Sequence, residues 1–257
     1  MEVAAHVEAL RREGALTVSA LEVADAGAPV PTCPDWVVRD LARHLGGVHR
    51  WATGYVADAR TEIWNVDLDV VVGTWPADDD LAAWLGAGCT TLADALEHAP
   101  PDLQCWTFLR APSPLAMWAR RQAHETAIHR IDAEVAAGMT PTAVAAAFAA
   151  DGADELLSCF VPRRSTKLRP ETPTSLAVAC TDEHAWWLLQ MDGEGVRTEA
   201  HLDEAPPTDT GAACTVRGAA ADVYRALWNR AGIQDLSVDG DRSALEQFGD
   251  AVQIRWS

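Results

Sequence analysis

The feature that most constrains this chain is a change of period near residue 160. Before it, apolar residues recur at three- and four-residue steps; after it, they fall in short runs bounded by turn residues. Such a chain predicts a helical domain followed by a mixed one. Five helices are expected. The first covers 3–24 and ends at the break AGAPVPTCP. The second runs from about Val37 to Ala59, with Val38, Leu41, Leu45, Val48, Ala52 and Tyr55 on one face and Pro34 and Asp35 at its start. The third covers Asp79 to His98 and is stopped by Pro100 and Pro101. The fourth runs from Ser113 to Ala137 and the fifth from Pro141 to about Cys159.

A connector, VPRRSTKLRPETPT, follows. SLAVAC and AWWLLQM then read as strands joined by TDEH, with DGEG as a turn into VRTEAHL. ACTVRG reads as a further strand, ADVYRALWNR as a helix and VQIRW as a last strand. The expected fold class is α + (α+β): a helical bundle over 1–160, a linker over 161–174 and a small α+β domain over 175–257. A length of 257 residues accommodates two such domains.

Composition removes several classes of function. Twenty Lys and Arg, only one of them lysine, stand against 38 Asp and Glu, for a net charge of −18. That balance argues against nucleic acid and anionic membrane surfaces as partners, since both require basic patches. No run approaches the roughly 18 apolar residues of a membrane span. The N-terminal MEVAAHVEALRREG has no basic stretch leading into an apolar core, and the six cysteines form no CxxC pair. Reduced thiols and a cytoplasmic location are therefore expected. GxSxG, GxGxxG and GxxxxGK[ST] patterns do not occur, so neither a nucleophile elbow nor a phosphate-binding loop is supported.

One polar stripe stands out. On the fourth helix, Trp118, Gln122, Glu125, His129 and Asp132 recur at three- or four-residue steps, beside an apolar stripe of Ile128, Ile131 and Val135. Glu125 and His129 lie one turn apart, a spacing that presents two ligands to one divalent ion. His44, between Leu41 and Val48 on the second helix, should also point inward. Two histidines and a glutamate would make a mixed nitrogen–oxygen site with a coordination position left open. The same spacing is equally that of an ion-pair face or of core histidines. HETAIH is one residue too long for the HExxH of zinc proteases. His124 and His49, each near a proposed ligand, leave the third ligand open on spacing alone.

PTCPDWVVRDLARHLGGVHRWA (31–52) and WARRQAHETAIHRIDAE (118–134) together resemble the N-terminal domain of the mycothiol-dependent maleylpyruvate isomerase family, within the wider DinB-like metal-binding four-helix bundles. GAAADVYRALWNRAGIQDLSVDGDRSALEQF (218–248) resembles that family's small C-terminal α+β domain. The resemblance implies an actinobacterial source, and it carries the metal-ligand roles to His44, Glu125 and His129. The metal would be zinc, with nickel or iron as alternatives. It further implies mycothiol as thiol cofactor or co-substrate, and a small electrophilic, carboxylate-bearing substrate. The activity implied is isomerase or S-transferase, in a monomer or homodimer.

Arg230 in LWNR matches the family's functional arginine, with Arg217 second. Trp51 and Trp118 lie on the same faces as the proposed ligands and read as bundle core or as pocket walls, and Gln122 and Asp132 as partners that orient His129 or as polar residues at the bundle's end. Two other readings use the same scaffold: a metal-dependent hydrolase, and a non-catalytic small-molecule-binding, regulatory or accessory protein. One departure is Val37, where the family carries a Ser or Thr helix cap; losing such a cap costs about 1 kcal/mol.

Overall fold

The computed structural model describes residues 1–253, and it divides the chain into two compact units, Met1–Thr142 and a second beginning at Ala143. The first unit is built on four long helices, α1 (Val3–Leu21), α2 (Val38–Ala57), α4 (Leu81–His98) and α5 (Pro114–Ala136). A short α3 (Leu68–Val72), not expected from the sequence, lies in the connection after α2. Helix α1 packs on α4 and α5, and α2 packs on the same two, so the four close a bundle. Leu10, Leu41, Leu45, Leu85, Leu92 and Leu96, on the apolar stripes of α1, α2 and α4, fill its interior.

Two glycines set the helix spacing. A Cβ on Gly14 would run into Cys89 Sγ, and one on Gly46 into the Trp84 ring, so α4 comes close to both α1 and α2 only because these positions lack side chains. At the start of α2 the missing Ser or Thr is half compensated, because the Asp40 carboxylate accepts the Val37 N–H at 3.0 Å. Helix α5 starts on Ser113, whose hydroxyl accepts from the Ala116 N–H at 3.1 Å, with Pro114 in the first turn. It stops at Gly138, where φ is +70°.

Helix α5 departs most from expectation. The sequence suggests a polar stripe bordering a buried one, yet nearly the whole helix is buried. Arg130 is fully buried. Its Nε donates to Glu13 Oε2 at 2.8 Å, and its Nη1 donates to Glu134 Oε2 at 2.7 Å and to the Thr142 carbonyl at 2.8 Å. Glu134 also accepts the Thr142 hydroxyl, at 2.6 Å. This network ties α1, α5 and the segment after α5 into one piece.

The second unit opens with α6 (Ala146–Asp154), which continues as a wider π turn over Glu155–Phe160. Five strands follow: β1 (Thr174–Cys180), β2 (Ala185–Asp192), β3 (Gly195–Leu202), β4 (Cys214–Gly218) and β5 (Ser237–Gly240). They form one sheet in the order β3-β2-β1-β4-β5, with only β1 and β4 parallel. Helices α7 (Ala220–Leu227) and α8 (Arg242–Ala251) complete the unit. Leu176, Val178 and Val216 face Val223 of α7 and Phe248 of α8.

Here the expected division at residue 160 is corrected. Trp187 Nε1 donates to Asp154 at 2.9 Å, Trp228 Nε1 to the Gly152 carbonyl at 3.1 Å, and the Thr198 hydroxyl to the Leu157 carbonyl at 2.7 Å. The fifth helix therefore packs on the sheet that follows it, and the boundary falls between Thr142 and Ala143. The 161–173 connector is irregular, as its composition predicts, but lies inside the second unit. Strand β5 and helix α8 were not read from the sequence. Of the expected strand VQIRW, Val252 and Gln253 belong to no strand, and Ile254 to Trp256 fall outside the described residues. Among the described residues no helix is long and apolar enough to cross a membrane.

The buried network predicts the cost of breaking it. Arg130→Met removes the buried cation shared by Glu13 and Glu134, leaving Arg12 on the first and Thr142 on the second, and removing one partner of a buried pair costs about 3–5 kcal/mol. Urea unfolding of Arg130→Met should show that loss as a lower midpoint at unchanged slope. A loss under about 1 kcal/mol, the scale of an exposed pair, would mean that the network contributes little.

Candidate metal centre

Helix periodicity brings the candidate ligands together. On α5, Glu125 and His129 stand one turn apart and face α2, where His44 projects from the turn after Leu41. His44 Nε2 lies 3.2 Å from Glu125 Oε1, and His129 Nε2 lies 3.4 Å from the same oxygen. One ligand atom from each residue falls within 4.8 Å of the other two. The His129 side chain is 0% exposed and that of Glu125 3%, whereas that of His44 is 19% exposed, so the cluster is sealed on the α5 side and reachable from the α2 side.

Each ligand is held from behind. The Asp132 carboxylate, fully buried, accepts from His129 Nδ1 at 2.8 Å, which orients the ring so that Nε2 faces the cluster. Asp132 is itself fixed by the Thr32 hydroxyl at 2.6 Å and by the Cys33 thiol at 3.7 Å. Arg121, one turn before Glu125, donates from Nη2 to Glu125 Oε2 at 3.0 Å. The Trp36 indole covers both histidines, with ring centroids 4.8 Å from His44 and 5.8 Å from His129.

The electrostatics follow this arrangement. Burial pushes His44 below its ordinary pKa despite its hydrogen bond to Glu125. Burial also acts to lower His129, but Asp132 and Glu125 outweigh it and hold that imidazole above the usual value. For Glu125 burial acts upward, yet His129, His44 and Arg121 hold the carboxyl well below the usual range. Two imidazole nitrogens and one carboxylate oxygen converge on one point, with three outer partners fixing them. That donor set fits a divalent ion of the zinc, nickel or iron type.

The structure places the two competing histidines, His49 and His124, outside this cluster. His49 is fully buried and its Nε2 meets Thr126 Oγ1 at 2.9 Å; since Thr126 donates to the Gln122 carbonyl, Nε2 carries the proton. His124 pairs edge-on with His6, ring centroids 6.0 Å apart. Neither belongs to the His44–Glu125–His129 group.

Of the expected supporting residues, Asp132 contacts His129, and no hydrogen bond joins Gln122 to it among the described residues. The Gln122 carbonyl accepts Thr126, and its buried Oε1 meets no hydrogen-bond partner among the described residues. Trp118 is fully buried, stacks on Tyr55 (5.0 Å) and meets Trp51 edge-on (5.2 Å), which places it in the bundle core; Trp51 is half-buried in the same cluster. Arg217 Nη2 donates to the Pro207 and Thr208 carbonyls, and Arg230 Nη1 to the Trp228 carbonyl; both are half-buried in the second unit. Trp36, Arg121 and Thr32 were missed. A signal was present for Arg121, which precedes Glu125 by one turn, but the positions of Thr32 and Trp36 depend on the loop before α2.

The structure is thus a four-helix unit with an inward two-histidine, one-glutamate cluster, followed along the chain by an α+β unit. Residues 7–134 match the family model for the mycothiol maleylpyruvate isomerase N-terminal domain, and residues 147–247 match the MDMPI C-terminal domain, named for the same isomerase. The chain belongs to the mycothiol-dependent maleylpyruvate isomerase family. Among solved structures, it is similar to that of the mycothiol-dependent maleylpyruvate isomerase, at 13% identity and a TM-score of 0.60. It is likewise similar to a histidine-to-alanine mutant of that enzyme, at 14% identity and 0.61. Each match covers 100% of this chain and 98% of the other, and at these identities it shows a shared fold. No curated protein matches the chain.

Two outcomes follow from this geometry. Asp132→Ala should weaken zinc binding roughly 10–100-fold, the usual cost of losing such an outer partner, in competition with a chromophoric chelator; unchanged affinity would remove Asp132 from the site's support. The second concerns acid stability. Burial holds His49 at about 3, with Glu125 opposing and Arg50, His129 and His44 assisting. The unfolded chain then binds a proton that the folded chain refuses, so His49 lowers stability progressively as pH falls from about 6.5 toward 3. His49→Gln should flatten that part of the stability–pH curve. An unaltered slope would contradict the buried neutral imidazole.

Proposed function

We propose that this chain is a metal- and thiol-dependent enzyme. In this reading it isomerises a small conjugated carboxylate or transfers a thiol to such an electrophile, with mycothiol as the thiol. The observation that carries the reading is the convergence of His44 Nε2, Glu125 Oε1 and His129 Nε2 at a point reachable from one side. Family membership supplies the thiol and the isomerase precedent. These three residues would hold a divalent ion, zinc before nickel or iron, which when bound favours the thiolate form of a neighbouring thiol.

The chain's own residues do the rest. Asp132 keeps Nδ1 of His129 occupied so that Nε2 stays directed at the cluster, and Arg121 keeps Glu125 ionised within a buried setting. Trp36 presents an aromatic wall over both histidines and excludes water from that side. The thiolate adds to the conjugated carbon–carbon double bond of the substrate. Rotation about the resulting single bond and departure of the thiolate complete an isomerisation, with the thiol regenerated. Release of a protonated adduct would complete a transfer instead. Arg230, with Arg217 second, is proposed to bind the substrate carboxylate, since a guanidinium fork matches it in bidentate fashion. The half-buried Trp51 is proposed as a further pocket wall.

The test is turnover of a cis-configured unsaturated dicarboxylate with and without a low-molecular-weight thiol, for the wild type, Glu125→Ala and Arg230→Met. The expected result is thiol-dependent turnover. Glu125→Ala should fall by more than the roughly 10–100-fold that losing an outer partner costs, and Arg230→Met should raise KM more than it lowers kcat. Turnover that ignores the thiol would overturn this reading, in favour of a metal-dependent hydrolase where the products show a bond cleaved by water, and turnover unaffected by Glu125→Ala would overturn the role of the cluster.

A further inference from the structure

The two oxygens of Glu125 have different partners. Oε1 faces both histidines, at 3.2 and 3.4 Å, while Oε2 is held at 3.0 Å by Arg121 Nη2. The residue relative exposures of Arg121 and Glu125 are both 2%, so no bulk water shields the pair. A guanidinium in this position has two effects. It occupies the second carboxylate oxygen, which leaves Glu125 one oxygen to offer the cluster, and it cancels the only negative charge among the three ligating residues. With both imidazoles neutral, as metal ligands are, the Glu125 carboxylate and the buried Asp132 carboxylate beside His129 carry −2; Arg121 brings the total to −1.

From this we infer that Arg121 is a positioning residue that makes the centre an anion receptor. With Glu125 confined to one oxygen and its charge balanced, a divalent ion held there would leave the site a net positive charge for an incoming anion, where without Arg121 the two carboxylates would cancel it. The ligand this selects is a small anion, either a thiolate or a carboxylate. This inference rests on the metal centre proposed above and adds the source of its ligand preference. Arg121 touches Glu125 rather than substrate, so it acts through the ligand.

Charge balance also gives the inference an unusual signature. Removing a merely structural arginine would weaken every property of the site together. Removing a charge-balancing one strengthens the attraction for the cation while weakening that for the anion, because both depend on the same local charge with opposite sign.

The experiment compares wild type, Arg121→Met and Arg121→Lys, each purified metal-free. Zinc affinity is measured by chelator competition. Anion affinity is measured by titrating N-acetylcysteine, and separately acetate, into cobalt-loaded protein while its visible spectrum is followed. Arg121→Met should bind zinc about tenfold or more tightly and the anions about tenfold or more weakly, and the probe with the greater loss identifies the anion the site prefers. Arg121→Lys, which keeps the charge, should restore anion affinity to within about threefold of wild type. Should Arg121→Met fail to fold, Arg121→Gln carries the same test. Equal anion affinities in wild type and the neutral variants, or zinc and anion affinities that fall together without rescue by lysine, would overturn the inference. Wild type that takes up no zinc or cobalt would overturn the proposed centre itself, and this inference with it.

Discussion

Helix α5 runs through the bundle buried on nearly every side, yet it carries Arg121, His124, Glu125, His129, Arg130, Asp132 and Glu134. A buried charge without a partner is far more costly than a buried leucine is favourable, so these residues determine what may pack around them. Toward the C-terminal end of α5, Arg130 requires Glu13 from α1 as well as Glu134 on its own helix. Nearer the middle, Glu125 requires His44 from α2 together with His129 and Arg121. The polar groups of one helix thereby fix where two others lie. The apolar stripes of α1, α2 and α4 supply the packing energy, but by themselves they would tolerate several registers.

The candidate centre depends on the same constraint. Outer contacts from Asp132 and Arg121 constrain His129 and Glu125, and Asp132 is constrained in turn by Thr32 and Cys33 in the loop that leads into α2. His44 alone keeps an exposed edge, so entry is from the α2 side. A site supported in this way is rigid where ligands must converge and open where a small molecule must enter, the combination that a reaction between two small molecules requires.

Much of this was legible in the sequence because periodicity reports which residues share a face. Glu125, His129 and Asp132 fall on one stripe, and the helical bundle and the change to strands after it follow from spacing. Periodicity does not report how many faces of a helix are covered. Helix α5 therefore read as two-sided, and spacing left Trp118 open between pocket wall and bundle core; it lies in the aromatic core against Tyr55 and Trp51. The helix after Pro141 read as part of the bundle because nothing local distinguishes a bundle helix from one that packs on a sheet. Its allegiance depends on Trp187 and Trp228, which reach Asp154 and Gly152 from 33 and 76 residues away. Trp36 and Thr32 escaped notice because their positions are set by a loop whose path no periodicity describes.

The account stands on the claim that His44, Glu125 and His129 form a metal centre, and metal content tests it most directly. The protein would be purified without chelator or metal-affinity resin and its metal measured by elemental analysis, beside His44→Ala and Glu125→Ala. The account predicts close to one divalent ion per chain in wild type, lost in both variants while their helical circular dichroism persists. A folded wild type that contains no metal and takes up none when zinc, nickel and iron(II) are supplied would contradict it.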